Sequence, residues 1–230
     1  MTEKFQPGRR TVIFDLDGTL ADTSGDLIAA ANAFFVLGGH GEVLDPKKDQ
    51  LTAFHGGRAM LRLGLSRING AEVDEVEVDR GFPVLLDAYE ENIDRHTVLY
   101  PGTMEAVGRL HANGYAVGIC TNKPEGLARL LLTRMGILDQ FTSLIGADTL
   151  PTRKPDPAPF VAAARAAGGD PACALLIGDT HTDRETARAA GVPCILVGFG
   201  PEGVGVARLE PEAMLDHYDD LDRVVSNLIG

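Results

Sequence analysis

The sequence predicts an α/β fold, a parallel sheet whose strands alternate with helices. Two observations carry that expectation. Short β-branched or apolar runs recur along the chain, "TVIF", "YAVGIC", "SLIG", "ALLIG" and "PCILVG", each followed by a turn and a helical pattern. One long stretch between the first run and the second shows helical patterns without a convincing β-run, as an inserted helical domain would.

The elements follow in order. After "TVIF", residues Leu27, Ala31, Phe34 and Phe35 recur at helical spacing, with Thr23 or Ser24 placed to cap that helix. Leu61, Leu65 and Ile68 form one apolar stripe and Phe82, Leu85, Leu86, Tyr89 and Ile93 another, with acidic residues between them. Residues 21–96 therefore read as a small helical domain inserted into a core made of 1–20 and 97–230. "LYPG" supplies a turn at Pro101 and Gly102 where the sheet pattern resumes. Further helices are expected from Pro124 to Met135, stopped by Gly136, from Asp156 to Ala167, and from Arg184 to Ala190, stopped by Gly191. Alternation of this kind is Rossmann-like.

Composition bounds the partners. The 230 residues carry a formal net charge of -12, so bulk electrostatics oppose nucleic acid and anionic membrane alike. "MTEKFQPGRR" has no apolar core of a signal peptide, and no later apolar run reaches the roughly 20 residues that span a bilayer. A cytoplasmic location is the expectation. The sequence sets no oligomeric state. Cys120, Cys173 and Cys194 match neither a disulfide framework nor a zinc spacing and read as small core hydrophobes.

Chemistry concentrates at the ends of the β-runs. Strand alternation puts Asp15 and Asp17 on one side, and Gly18 permits a turn that curls Thr19 and its neighbouring amides toward them. "ALLIGDTHTD" repeats the pattern with Asp179 and, at a helix start, Asp183, which serves either as a ligand or as a helix cap. The carboxyl ends of neighbouring parallel strands share one crevice, so these acids can meet. Two like charges ~4 Å apart repel by roughly 4 kcal/mol at an effective dielectric near 20, so the group calls for a cation or raised pKa values. An all-oxygen set favours Mg²⁺. An EF-hand does not fit, because Gly18 falls at the fourth position of the run instead of the sixth.

Thr121 and Asn122 after "YAVGIC", and Lys154 in "RKPDP", offer a hydroxyl, an amide and an ammonium to phosphoryl oxygens. Lys123 reads as a solvent-facing charge and His181 as a variable loop residue. In the inserted segment, Arg58 of "HGGR" is either a surface arginine near a helix end or a fork for a substrate carboxylate.

In these motifs the chain resembles the haloacid dehalogenase superfamily. "FDLDGTL" is similar to its first motif, Thr121 of "CTNKP" to its second, Lys154 of "RKPDP" to its third and "GDTHTD" to its fourth, in order and over nearly the whole chain. "FDLDGTLADTSGDL", "LYPG", "TNKP" and "RKPDPAP" look most like the phosphoglycolate phosphatases of that superfamily, and the helical insertion looks like their cap domain. The resemblance implies a small phosphorylated metabolite as substrate and Asp15 as the nucleophile, forming an aspartyl-phosphate. It implies Asp17 as acid and base, and Thr121 and Lys154 as holders of the phosphoryl group. Mg²⁺ would be bound by Asp15, Asp179 and the backbone carbonyl of Asp17, with Asp183 a ligand directly or through water. Asp17 points to phosphate esters, because the dehalogenases and phosphonatases of the superfamily lack it. A phosphomutase of the β-phosphoglucomutase kind, or a receiver-like phospho-aspartate module, would use a similar acid.

Overall fold

The computed structural model describes residues 6–70 and 72–230, and the chain divides into two compact units. The larger holds the chain up to Ala21 and from Leu99 onward, and the smaller is Asp22–Val98. The strands, in chain order, are β1 (Thr11–Phe14), β2 (Ala21–Asp22), β3 (Val98–Leu99), β4 (Ala116–Cys120), β5 (Ser143–Ile145), β6 (Ala174–Gly178), β7 (Cys194–Val197) and β8 (Ala213–Leu215). The helices are α1 (Ser24–Leu37), α2 (Gln50–Phe54), α3 (Gly57–Asn69), α4 (Glu75–Glu91), α5 (Thr103–Ala112), α6 (Glu125–Arg134), α7 (Ala158–Ala166), α8 (His181–Ala190) and α9 (Leu221–Ile229).

Six strands form one parallel sheet in the order β5-β4-β1-β6-β7-β8. A parallel sheet needs both faces covered, and β1, β4, β6 and β7 are buried at every residue, which is why they read as unbroken apolar runs. Phe160 of α7 is fully buried among Ile13, Leu176 and Leu196, a burial of about 1.5–3 kcal/mol for such a side chain. β2 and β3 pair as a two-stranded ribbon where the chain leaves the larger unit and returns to it.

Strand register fixes the level of the strand ends. Phe14 lies opposite Ile119 of β4 and Ile177 of β6, so Asp15 stands level with Cys120 and Gly178, with Thr121 and Asp179 one step beyond. The Asp15 amide continues the ladder by donating to the Ile177 carbonyl at 2.8 Å. β1 thus sits between two neighbours reached by crossovers on opposite sides, the topological point where open parallel sheets form a crevice.

The smaller unit is helical, with Ile28, Phe35, Met60, Leu61, Leu65, Val78, Leu85 and Tyr89 buried. Its first helix is capped differently from the expectation. Neither the Thr23 nor the Ser24 hydroxyl caps it; Asp22 accepts from the Ser24 amide at 3.0 Å and from the Ser24 hydroxyl at 2.6 Å. Asp26, almost fully buried, accepts from the amides of His96 and Thr97 and from the Thr97 hydroxyl, tying the start of α1 to the end of the segment. Among the described residues no helix is long and apolar enough to cross a membrane.

Candidate active site

Three carboxylates, those of Asp15, Asp179 and Asp183, each present an oxygen within 4.8 Å of the others. Asp15 follows β1, Asp179 follows β6, and Asp183 sits in the first turn of α8. Two glycines allow this crowding. Gly18 has φ +80°, and a Cβ there would lie 2.3 Å from Asp179 Oδ2. A Cβ at Gly178 would lie 2.3 Å from Asp183 Cγ. Only glycine lets the backbone pass so close to both acids.

Each acid has a distinct set of partners. Asp15 Oδ1 accepts from the Leu16 amide at 2.7 Å, and its Oδ2 faces Lys154 Nζ at 3.0 Å. Asp179 Oδ1 accepts from the Thr19 hydroxyl at 2.9 Å. Asp183, fully buried, takes Lys154 Nζ on Oδ1 at 2.6 Å, while its Oδ2 accepts from the Thr180 hydroxyl at 2.6 Å and the Thr180 amide at 3.1 Å. It therefore acts as half of a capping box for α8 and as the anchor of Lys154.

Burial raises the Asp15 carboxyl from 3.8 to about 6; Lys154 opposes the rise, and the Asp183 and Asp17 charges add to it. Burial, with Asp183 and Asp15 beside it, also holds Asp179 well above the ordinary carboxylate range. Lys154 is buried too, which alone would lower it, but the adjoining Asp15 and Asp183 charges prevail and keep it above the usual lysine value. One ammonium thus faces three converging acids. All-oxygen donors in excess of local positive charge are the chemistry of a hard divalent cation, so the residues present fit such an ion.

Thr121 is buried at the end of β4, and its hydroxyl accepts from the Lys123 amide at 3.2 Å, leaving its own O–H to donate. The Asn122 amide group donates to the Lys154 carbonyl at 3.0 Å and so holds the lysine loop. Thr19 is fully buried with its hydroxyl on Asp179, and its carbonyl accepts from the buried Tyr218 hydroxyl at 2.8 Å. His181 is exposed, with its ring 3.9 Å from Glu185. Cys120 and Cys194 are buried hydrophobes as expected; burial pushes the Cys120 thiol up to about 12, so it stays protonated and inert. Cys173 is only partly buried.

Lys123 corrects the expectation of a solvent-facing charge. Its side chain is 3% exposed and its Nζ donates to Asp17 Oδ1 at 2.9 Å and Oδ2 at 3.2 Å. The only hint in the sequence is its place two residues beyond Thr121, at the end of a strand that pairs with β1.

In the smaller unit, Arg58 is the second residue of α3; it donates to Asp79 Oδ1 at 2.6 Å and lies 4.7 Å from the centre of the Phe82 ring.

Comparison with known proteins bears on this arrangement. A family model described as haloacid dehalogenase-like hydrolase matches residues 12–197. A Mesorhizobium japonicum phosphoglycolate phosphatase is 38% identical over 216 residues, 93% of each chain. A Rhodospirillum rubrum phosphoglycolate phosphatase is 35% identical over 216 residues, 92% of this chain and 89% of its own. Among solved structures, a protein from Haemophilus somnus 129pt described as a predicted phosphoglycolate phosphatase superposes with a TM-score of 0.82 at 25% identity, covering 95% of this chain and 99% of that one. The family match begins in β1, just before Asp15, and runs through β7, taking in Asp15, Lys154, Asp179 and Asp183, and by that match the chain belongs to the haloacid dehalogenase-like hydrolases.

Proposed function

We propose that the chain is a phosphatase that hydrolyses a small phosphomonoester through an aspartyl-phosphate on Asp15, with 2-phosphoglycolate as the substrate. The observation that carries the proposal is the meeting of Asp15 and Asp179, just past the ends of β1 and β6, with Asp183 of α8 and the loop residue Lys154. The relatives named phosphoglycolate phosphatase, aligned over nearly the whole chain, support the choice of substrate.

An Asp15 carboxylate oxygen attacks phosphorus, and the bond from phosphorus to the leaving oxygen breaks. Asp17 gives its proton to that oxygen, then takes one from the water that cleaves the aspartyl-phosphate and releases inorganic phosphate. The Thr121 hydroxyl and the Lys154 ammonium hold phosphoryl oxygens, Lys154 also offsetting charge on Asp15. A divalent cation, Mg²⁺ in this proposal, would be held by Asp15, Asp179 and the Asp17 carbonyl and would neutralise phosphoryl charge. Asp183, with both oxygens already engaged by protein donors, suits a contact through water and the placing of Lys154. Gly18 and Thr19 shape the turn that receives the phosphoryl group, and Asn122 braces the loop of Lys154. For Arg58, the guanidinium donors beyond the one on Asp79 are the proposed fork for a substrate carboxylate; Arg58→Met is expected to raise KM for 2-phosphoglycolate while leaving KM for a phosphate ester without a carboxylate unchanged. A cytoplasmic location belongs to the same proposal.

The test is phosphate release from 2-phosphoglycolate, sugar phosphates, nucleotides and pyrophosphate, each with Mg²⁺ and with chelator. The expected profile is metal-dependent and led by 2-phosphoglycolate. Isomerisation of a sugar phosphate with little phosphate release would instead support a mutase. Asp15→Asn is expected to fold and to abolish turnover; full activity in that variant would remove the assigned nucleophile.

A further inference from the structure

The ammonium of Lys123 lies against the carboxylate of Asp17 in a position that the proposed chemistry does not yet use. A buried lysine is costly unless paired, and this one is paired with both oxygens of a single acid. Its own backbone is fastened at two points: its amide donates to the Thr121 hydroxyl at 3.2 Å, and its carbonyl accepts from the Ala147 amide at 3.0 Å. The neighbouring Asn122 is tied to the Lys154 carbonyl. The ammonium is therefore presented by a fixed loop. Asp17 stands in the turn after β1 with its side chain 19% exposed, and the Lys123 ammonium meets both of its carboxylate oxygens, which restricts the rotation of that group. A proton donor works only within hydrogen-bond reach of the oxygen that receives the proton.

We propose that Lys123 is a positioning residue for Asp17. It fixes the carboxylate in the orientation that serves the leaving oxygen, and it links that orientation to the loop bearing Thr121, so that the phosphoryl contact and the proton donor are set by one piece of chain. The proposal rests on the phosphatase function above and extends it.

Leaving-group dependence separates this role from a structural or phosphate-binding one. An alkyl ester such as 2-phosphoglycolate needs a proton on its departing oxygen, whereas 4-nitrophenyl phosphate releases a stable phenolate and needs little help. The experiment measures kcat/KM for both esters, which covers the steps up to departure of the alcohol and not the shared hydrolysis of the aspartyl-phosphate, with Mg²⁺, in the wild type, Asp17→Asn, Lys123→Gln and Lys123→Arg. The expected result is an alkyl-to-aryl ratio of kcat/KM at least about fivefold lower in Lys123→Gln, in the same direction as Asp17→Asn, with Lys123→Arg restoring most of it. Hydrolysis of the aryl ester reports that the variant is folded; should Lys123→Gln not fold, Lys123→Met is read in the same way. A smaller fall in that ratio, including the case where kcat/KM drops equally for both esters, overturns the proposal. A wild type inactive on both esters would overturn the phosphatase function and this proposal with it, an outcome distinct from an active wild type whose ratio does not respond to Lys123.

Discussion

Replacing Lys154 by methionine removes the ammonium from between two carboxylates and leaves its volume nearly unchanged. Nζ stands 2.6 Å from Asp183 and 3.0 Å from Asp15, and the side chain is 1% exposed. At an effective dielectric near 20 each contact is worth roughly 6 kcal/mol of gross attraction, against which stands the desolvation of three charged groups. The net effect of breaking a buried pair from one side is about 3–5 kcal/mol, a large part of the roughly 5–15 kcal/mol that holds a typical domain folded. The loss depends on pH with a definite sign. Asp15 has a folded value near 6 against 3.8, so the folded chain binds that proton more tightly than the unfolded one, and stability falls as pH rises from about 4 to about 6. Lys154 restrains that rise, so the share of the Lys154→Met deficit that comes from Asp15 should be nearly absent near pH 4 and grow as pH rises above 6. Urea unfolding in chelator at both pH values is the assay, with Lys154→Met/Asp183→Asn as the companion variant expected to recover part of the loss. A deficit below about 1 kcal/mol at pH 7 would show that the ammonium does not balance these acids.

Two further outcomes follow from the same cluster. Gly18→Ala places a methyl 2.3 Å from Asp179 Oδ2 at a left-handed φ; Asp179 is 2% exposed and cannot retreat, so a loss of about 3 kcal/mol together with loss of turnover is expected, and a wild-type melting temperature would contradict it. In chelator, Asp179→Asn should melt higher than the wild type at pH 7 because it relieves buried like charges; added Mg²⁺ should raise the wild-type melting temperature with concentration and leave that of the variant nearly unmoved. Equal responses would exclude Asp179 as a ligand.

Much of the larger unit was legible because its strands are buried on both faces and so spell out apolar runs. β8 escaped because Ala213–Leu215 is fully buried only at Leu215 and stands between Glu212 and Asp216, so no apolar run marks it. α5 and α9 also lie outside the helical patterns the sequence shows clearly; each buries only a few apolar residues, such as Val107 and Leu110 or Leu221 and Val225. α8 begins at His181, three residues before the expected start, because Asp183 caps from within the first turn. Asp15 and Asp179 stand out because each ends an apolar run, and Asp183 because it follows Asp179 by four residues at a helix start. Lys123 could not, because what buries it is Asp17, 106 residues away, and a lysine just past a strand end in an acid-rich chain ordinarily points to water. Spacing suggests Thr19 and Asn122 as neighbours of the acids, but it cannot tell a hydroxyl aimed at a ligand from one aimed at Asp179, or an amide aimed at a ligand from one aimed at the Lys154 carbonyl.

The hydroxyl of Tyr218 reaches back across 199 positions to the carbonyl of Thr19. During synthesis on the ribosome, the turn that follows the first strand therefore waits for a tyrosine made long after it. Shortened products that stop before that residue would carry the acidic turn without its brace, and a truncation series through residue 218 would date the moment at which the nascent protein becomes competent.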